Sequence, residues 1–386
     1  MVDWRALLLV GGFAIAPIGL QIACEPSSGA ADTTASTVVS VGSGTFDAGM
    51  GGNGEGAGDA GTVVGAGGGE PVYLGLTANA LQNGDGPPSA ADELLAQLTA
   101  QAAGVRLVLI DVAWDTFDAD SLGVRIGGYA DQELRVAVNL LVVDGHADRR
   151  PDDIAELDWD DAEVVAAIQT TIDSVFVAAG ESLDALVIAR RADAYLDDDA
   201  SEAAGFASFA SAAVGYAQSM GSADLDVGVG VTFMEEPAYQ ALVQLGSIAA
   251  FAYFPGLGQA SVPSSIAAAK DLDTMVEQAG DRAIMIQQFG FASAPALGSS
   301  VELQQQVFAD FFAALAPRRL SFPFVNVHQL HDLSALACDN FAAAQGLEAS
   351  SVEAQYHCVA GVRDHSGTPK AAWYPFLQAA ATFATP

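Results

Sequence analysis

The chain has 386 residues, 51% of them hydrophobic and 16% charged, and a formal net charge of −34. That is enough apolar material for a full core, and one (β/α)8 domain of about 250 residues fits with room to spare. Only 14 Lys and Arg stand against 48 Asp and Glu, and Lys occurs only at Lys270 and Lys370, which excludes a phosphate-binding nucleic-acid protein. The acidity reads as bulk composition, of the kind a GC-rich genome or a salty habitat imposes, rather than as the mark of a partner.

Residues 1–24 read as a targeting segment. Arg5 supplies a basic start, residues 6–22 an apolar stretch, and Ala23-Cys24 a small-residue junction, as in a secretory signal. Leu20-Gln21-Ile22-Ala23-Cys24 also resembles a bacterial lipobox, which implies lipidation at Cys24 and a membrane anchor there; Gln21 sits where an aliphatic residue is usual. An uncleaved anchor helix is the alternative that length alone leaves open. Residues 25–70 are mostly Gly, Ala, Ser and Thr and bury too little to offset their ordering entropy, so a flexible tether is expected. Its glycines make no phosphate loop, because no strand precedes them and no Gly-Lys-Ser/Thr closes them.

The folded domain is expected over 71–386. Residues 72–78 read as the first strand, and Ser89 with Asp92 three positions on opens a helix to 102. Strands follow at 105–111, with Trp114 and Asp115 beyond, and at 134–143, ending at Asp144-Gly145-His146. A helix over 162–179 leads to the short apolar run 186–188, which passes at once into Arg190, Arg191, Asp193 and Tyr195. A buried parallel strand reads this way when its C-terminal end opens into a site. Then come a helix at 200–220, a strand at 225–233 ending at Glu235-Glu236, a strand at 248–253, and a helix at 263–279. The last elements are a strand at 282–288, a helix at 301–315, a strand at 322–327, and a helix beginning near Thr368-Pro369. Eight apolar runs alternating with helical segments indicate a parallel α/β architecture, though periodicity alone does not separate a closed barrel from an open sheet.

Four stretches carry a resemblance. Ile188-Ala189-Arg190-Arg191-Ala192-Asp193-Ala194-Tyr195-Leu196 resembles the fourth strand of retaining glycosidases built on the (β/α)8 TIM barrel, nearest to arabinogalactan endo-galactanase-like and cellulase-like members. There the segment reads roughly Ile-Gly-Asn-Glu-Pro-Asp-Ala-Tyr-Leu, with Glu as acid/base. Gly361-Val362-Arg363-Asp364 and Pro369-Lys370-Ala371-Ala372-Trp373 resemble the C-terminal signature of that clan. Gln287-Gln288-Phe289-Gly290 resembles its Gln-Glu-Val-Gly, in which Glu is the nucleophile, and 324–332 resembles a segment that carries a sugar-stacking Trp. The resemblance spans roughly residues 73–383 and implies a closed barrel with chemistry at the C-terminal strand ends.

The same alignment questions the activity. Arg191 stands at the acid/base position, Gln288 at the nucleophile position, and His328 and Gln329 where the Trp is expected. Retaining hydrolysis needs two carboxyl groups about 5 Å apart, one to protonate the leaving oxygen and one to attack. A guanidinium does not give up a proton near neutral pH, and an amide is a poor nucleophile. The expectation is a non-catalytic protein that binds a glycan or partner at the barrel mouth. The alternative is a hydrolase using relocated carboxylates from among Asp111, Asp115, Asp144, Asp193, Glu235, Glu236 and Asp332, which fall at or just past strand ends.

The candidate ligand-binding residues are Arg190, Arg191, Asp193, Tyr195, Asp144, Glu235, Tyr253, Gln288 and His328. Arginine forks match carboxylates, so the expected ligand is an acidic polysaccharide or an acidic side chain of a surface protein. An internal salt bridge from Arg190 or Arg191 to Asp193 or a neighbouring acid is the competing reading. Phe251 and Phe254 read as core and rim packing. His328, His331 and His357 lack a metal-ligand spacing, and no cofactor motif occurs. Cys338 and Cys358 bracket an insertion after the eighth strand and are expected to pair if the domain is exported, leaving Cys24 for lipid.

Overall fold

The computed structural model describes residues 72–82, 88–198, 200–234 and 239–384. The targeting segment with Cys24, the tether and Glu235-Glu236 lie outside the described residues.

The strands are β1 (Tyr73–Leu76), β2 (Leu107–Ala113), β3 (Arg135–Asp144), β4 (Ala147–Asp148), β5 (Ala185–Arg190), β6 (Asp226–Thr232), β7 (Ile248–Tyr253), β8 (Ala283–Phe289) and β9 (Phe324–Val327). All but β4 pair in parallel, each with the next, and β9 returns to β1 to close a (β/α)8 barrel. β4 only turns back against the end of β3. The helices are α1 (Ala90–Ala102), α2 (Ala119–Ala130), α3 (Ala162–Ala179), α4 (Ala192–Asp198), α5 (Ala203–Met220), α6 (Gln240–Val243), α7 (Ala268–Ala279), α8 (Val301–Leu315), α9 (Ala335–Ala344), α10 (Val352–Cys358) and α11 (Trp373–Phe383).

Local chemistry accounts for these boundaries. Ser89 and Asp92 form a reciprocal capping box that starts α1. In α3, Val164, Ile168, Ile172, Val175 and Ala179 recur three or four residues apart and bury one stripe against the barrel. Two helix starts differ from expectation. α7 begins at Ala268 rather than near Pro263, which instead packs against Gly256, where φ is +82° and a Cβ would lie 2.5 Å from the proline ring. α11 begins at Trp373 rather than Thr368, because Asp364 Oδ1 accepts from the N–H groups of Ser366 and Thr368 and closes a turn there.

The barrel interior changes character from floor to mouth. The floor is apolar, built from Tyr73, Leu107, Ala137, Ala185, Val187, Ile248, Ala250, Met285 and Phe324. Above it lies a layer of amides. Gln287 donates to Asn139 at 2.8 Å, Asn139 donates to Asp111 at 2.7 Å, and Asn326 donates to Thr77 at 2.9 Å. The charged mouth sits on that layer.

Candidate functional site at the barrel mouth

The end of β5 is distorted. Against β3 the register slips between Leu140 and Asp144, so that Ile188 faces Leu140 while Arg190 faces Asp144. Ala189 and Arg191 take positive φ, 71° and 54°. A non-glycine residue in that region costs about 1–2 kcal/mol, and such strain persists where the surroundings over-determine it. Here it aims two successive arginines into different partners.

Arg190 spans two carboxylates. Its Nε donates to Asp144 Oδ1 at 2.6 Å, and its Nη1 donates to Asp111 Oδ2 at 2.5 Å. Burial acts to lower its pKa, but Asp111 and Asp144 outweigh that and hold it raised. Arg191 turns the other way, to the insertion after β9. Its Nη2 donates to Glu353 Oε1 at 2.5 Å, and its Nη1 lies 3.1 Å from His357 Nε2.

That insertion is a cap. α9 and α10 are joined by a disulfide between Cys338 and Cys358, with Cα atoms 5.4 Å apart. Glu353 and His357 stand four residues apart on α10, hence on one face. Gln345, just past α9, donates to Asp144 Oδ2 at 2.9 Å. A Cβ at Gly145, where φ is +59°, would lie 2.3 Å from Gln345 Oε1, so glycine admits this contact. His146 Nε2 lies 3.2 Å from the second oxygen of Glu353.

The family-like nucleophile position joins the same network. Gln288 Nε2 lies 3.2 Å from His328 Nδ1, and His328 Nε2 lies 3.3 Å from His357 Nδ1. Phe254 packs its ring edge-on against both histidines. Arg191, Gln288 and His357 are all at most 6% exposed. Burial first, then Arg190 and Arg191, lower the His328 pKa to about 3. Burial and the neighbouring His328 push His357 the same way. Burial would raise Glu353, but His146 and Arg191 prevail and hold it at about 2. The mouth therefore holds neutral imidazoles and an ionised Glu353 at neutral pH, and each charge has a partner.

The structure brings Arg190, Arg191, Asp144, Gln288 and His328 together. Asp193 is beside them, buried and raised in pKa by that burial, accepting from the Thr232 N–H at 2.6 Å. It is not the acid that Arg190 or Arg191 grips; Asp111, Asp144 and Glu353 are. Two other candidates turn their hydroxyls elsewhere. Tyr195 turns its hydroxyl to Glu202, with Trp159 packed edge-on to its ring. Tyr253 donates to Asp271 Oδ2 at 2.5 Å and stacks on Phe289, so it serves the helix–barrel packing. Among the alternative carboxylates, Asp332 is held by Lys370 at 2.7 Å, and Asp111 and Asp144 share Arg190. Sequence reasoning missed Glu353 and Gln345 and assigned His357 no part in the mouth. The four-residue spacing of Glu353 and His357, next to Cys358, was the available signal.

No family model and no curated protein matches the sequence. Solved structures do match in fold. A GH5_18 protein from Bifidobacterium longum subsp. infantis has TM-score 0.61 at 12% identity, covering 81% of this chain and 79% of that one. A GH5_18 protein from Streptomyces cattleya, in complex with GlcNAc, has TM-score 0.61 at 13% identity, covering 82% of each. A GH2 beta-galacturonidase from Eisenbergiella tayi, bound to galacturonate, has TM-score 0.54 at 12% identity over 81% of this chain; the match spans about half of that protein, 51%. The fold is thus that of a glycoside-hydrolase-like TIM barrel.

Proposed function

We propose that this chain is an exported, lipid-anchored, glycoside-hydrolase-like barrel that does not hydrolyse glycosides and acts by binding. The observation that supports this most is the Arg191–Glu353 ion pair at 2.5 Å. The position where the resemblance puts a proton donor is filled by a permanent cation, and that cation anchors a cap over the mouth. Gln288, at the nucleophile position, is engaged with His328 rather than facing open space. The carboxylates Asp111 and Asp144 are both committed to Arg190, which leaves them poorly suited to replace a catalytic pair.

The arginines also favour a ligand class. Arg191 already grips a carboxylate, so an acidic polysaccharide or an acidic side chain of a surface protein would bind by replacing Glu353 on that fork. Labelled fatty acid entering wild type but not Cys24→Ser would support the anchor; equal labelling, or none in either, would remove it. The binding reading is tested with a panel of β-linked galactan, glucan and mannan and with an acidic-glycan array. No hydrolysis is expected, and Glu353→Gln should bind acidic glycans more tightly than wild type. Clear turnover on the panel, or binding that prefers neutral glycans and ignores Glu353→Gln, would overturn the proposal.

A further inference from the structure

The barrel wall opens between β1 and β2. β1 pairs with β9 over all four residues, Tyr73–Leu76, but with β2 at the single register pair Gly75↔Leu107. Gly75 permits even that approach, since a Cβ there would lie 2.9 Å from the Leu107 carbonyl oxygen. Beyond it the chain turns away from β2, with the Thr77 N–H donating to Val327. The gap widens into a cavity of about 520 Å³ between α1 and α2. That lies within the roughly 300–1,000 Å³ range of small-molecule sites. No lining residue comes from the cap.

The cavity wall is two-sided. Its floor is apolar, with Val108 and Leu109 of β2, while Asp111 reaches it from the mouth network. Its sides carry Glu93 and Gln97 from α1 and Arg125 and Tyr129 from α2. Every charged group at the mouth has a partner. Here the side chains of Glu93, Gln97, Arg125 and Tyr129, the first and third of them exposed, make no side-chain hydrogen bond or ion pair among the described residues. Arg125 and Tyr129 stand four residues apart on α2, hence on one face, and Glu93 lines the same cavity from α1.

We infer that this seam is a ligand site for an uncharged, polyhydroxylated molecule of hexose size. The chemistry selects that class. One acid and one base balance, so the wall carries no net preference for either sign of ligand charge. An amide and a phenol both donate and accept, and hydroxyl groups of a sugar do the same. The tyrosine ring and the β2 floor offer an apolar face for the C–H side of a sugar ring. The cavity adjoins the mouth at Asp111 but takes no residue from the cap, so its test is separate from that of the acidic-ligand reading.

The test uses the full chain, titrated with glucose, galactose and mannose, and with glucuronate and glucosamine as charged counterparts, followed by saturation-transfer NMR. At least one neutral hexose should bind, with the charged analogues weaker. Gln97→Leu should weaken that binding about tenfold, the loss expected from one to two hydrogen bonds, and Tyr129→Ala should weaken it as well. Val177→Ala, on the exposed face of α3, should leave it unchanged, and circular dichroism establishes that each variant is folded. No response to any neutral hexose, equal or stronger binding of the charged analogues, or an affinity indifferent to Gln97→Leu would overturn the assignment.

Discussion

The mouth and the β1/β2 seam are built from similar side chains and leave them in opposite states. At the mouth, Arg190, Arg191, Asp111, Asp144, Glu353 and the two buried histidines all have partners within the chain. At the seam, the side chains of Glu93, Gln97, Arg125 and Tyr129 line a cavity without a side-chain hydrogen bond or ion pair among the described residues. Buried polar groups demand partners, and at the mouth the chain supplies them internally. Groups left wet around a concave wall are free to meet something else. The difference is that a ligand at the mouth must displace an internal partner such as Glu353, whereas a ligand at the seam need displace none.

The strongest way to break the comparison is to remove one side of the cap anchor. Arg191→Met leaves Glu353 buried without its cation, and loss of one partner from a buried ion pair costs about 3–5 kcal/mol. Urea denaturation should show that loss, and Gln97→Leu at the seam should show almost none. Next comes the disulfide. Cys338 and Cys358 are 20 residues apart, and a loop of that order is worth about 3 kcal/mol in chain entropy. Reduction should raise amide exchange in α9 and α10 while the barrel strands stay protected.

Acid sharpens the contrast further. His328 is held at about 3 by burial and by Arg190 and Arg191, with Asp144 opposing and His357 alongside. The unfolded chain takes up a proton near the ordinary histidine pKa of about 6.5, so stability is fully present above that value and falls as pH drops toward the folded value. For His328 alone the loss between pH 7 and pH 5 is about 2 kcal/mol, and His357 adds to it in the same direction. Glu353, depressed to about 2, adds a second loss below the usual carboxylate pKa of about 4.3. A pH series of denaturation midpoints should show both phases, and Arg191→Met should remove most of the second. The smallest effect belongs to Gly145→Ala. A side chain at φ +59° that crowds Gln345 should cost about 1–2 kcal/mol and loosen the Gln345–Asp144 contact.

Much of this barrel could be read from the chain because buried parallel strands announce themselves. The runs at 136–143, 185–190 and 283–289 are apolar on both faces and end in polar residues where the barrel opens. The arginines at the end of β5 and Gln288 in β8 were identifiable because strand ends place their residues at the mouth. The cap was not. α9, with the sequence Ala335–Ala344, has only Cys338 and Ala342 buried, so it lacks an apolar stripe to signal packing. Glu353 binds Arg191 across 162 residues, a contact that no local pattern encodes. The hydroxyl partners of Tyr195 and Tyr253 were hidden for a related reason. Tyr253 ends β7 and Tyr195 lies in α4 just past β5, but their hydroxyls meet acids on neighbouring segments, Asp271 and Glu202. The seam, too, arises from a missing pairing between β1 and β2, which apolar periodicity does not reveal.

The claim at the centre of this account is that Arg191 and Glu353 hold the mouth shut as a pair. A double-mutant cycle between Arg191→Met and Glu353→Gln, read by urea denaturation at neutral pH, measures that directly. A buried, hydrogen-bonded charge pair at 2.5 Å should show a coupling energy of about 2 kcal/mol or more, with the double variant less damaged than the sum of the singles. Additive losses, with coupling near zero, would mean that the two side chains act independently and that the cap is not anchored at the old acid/base position.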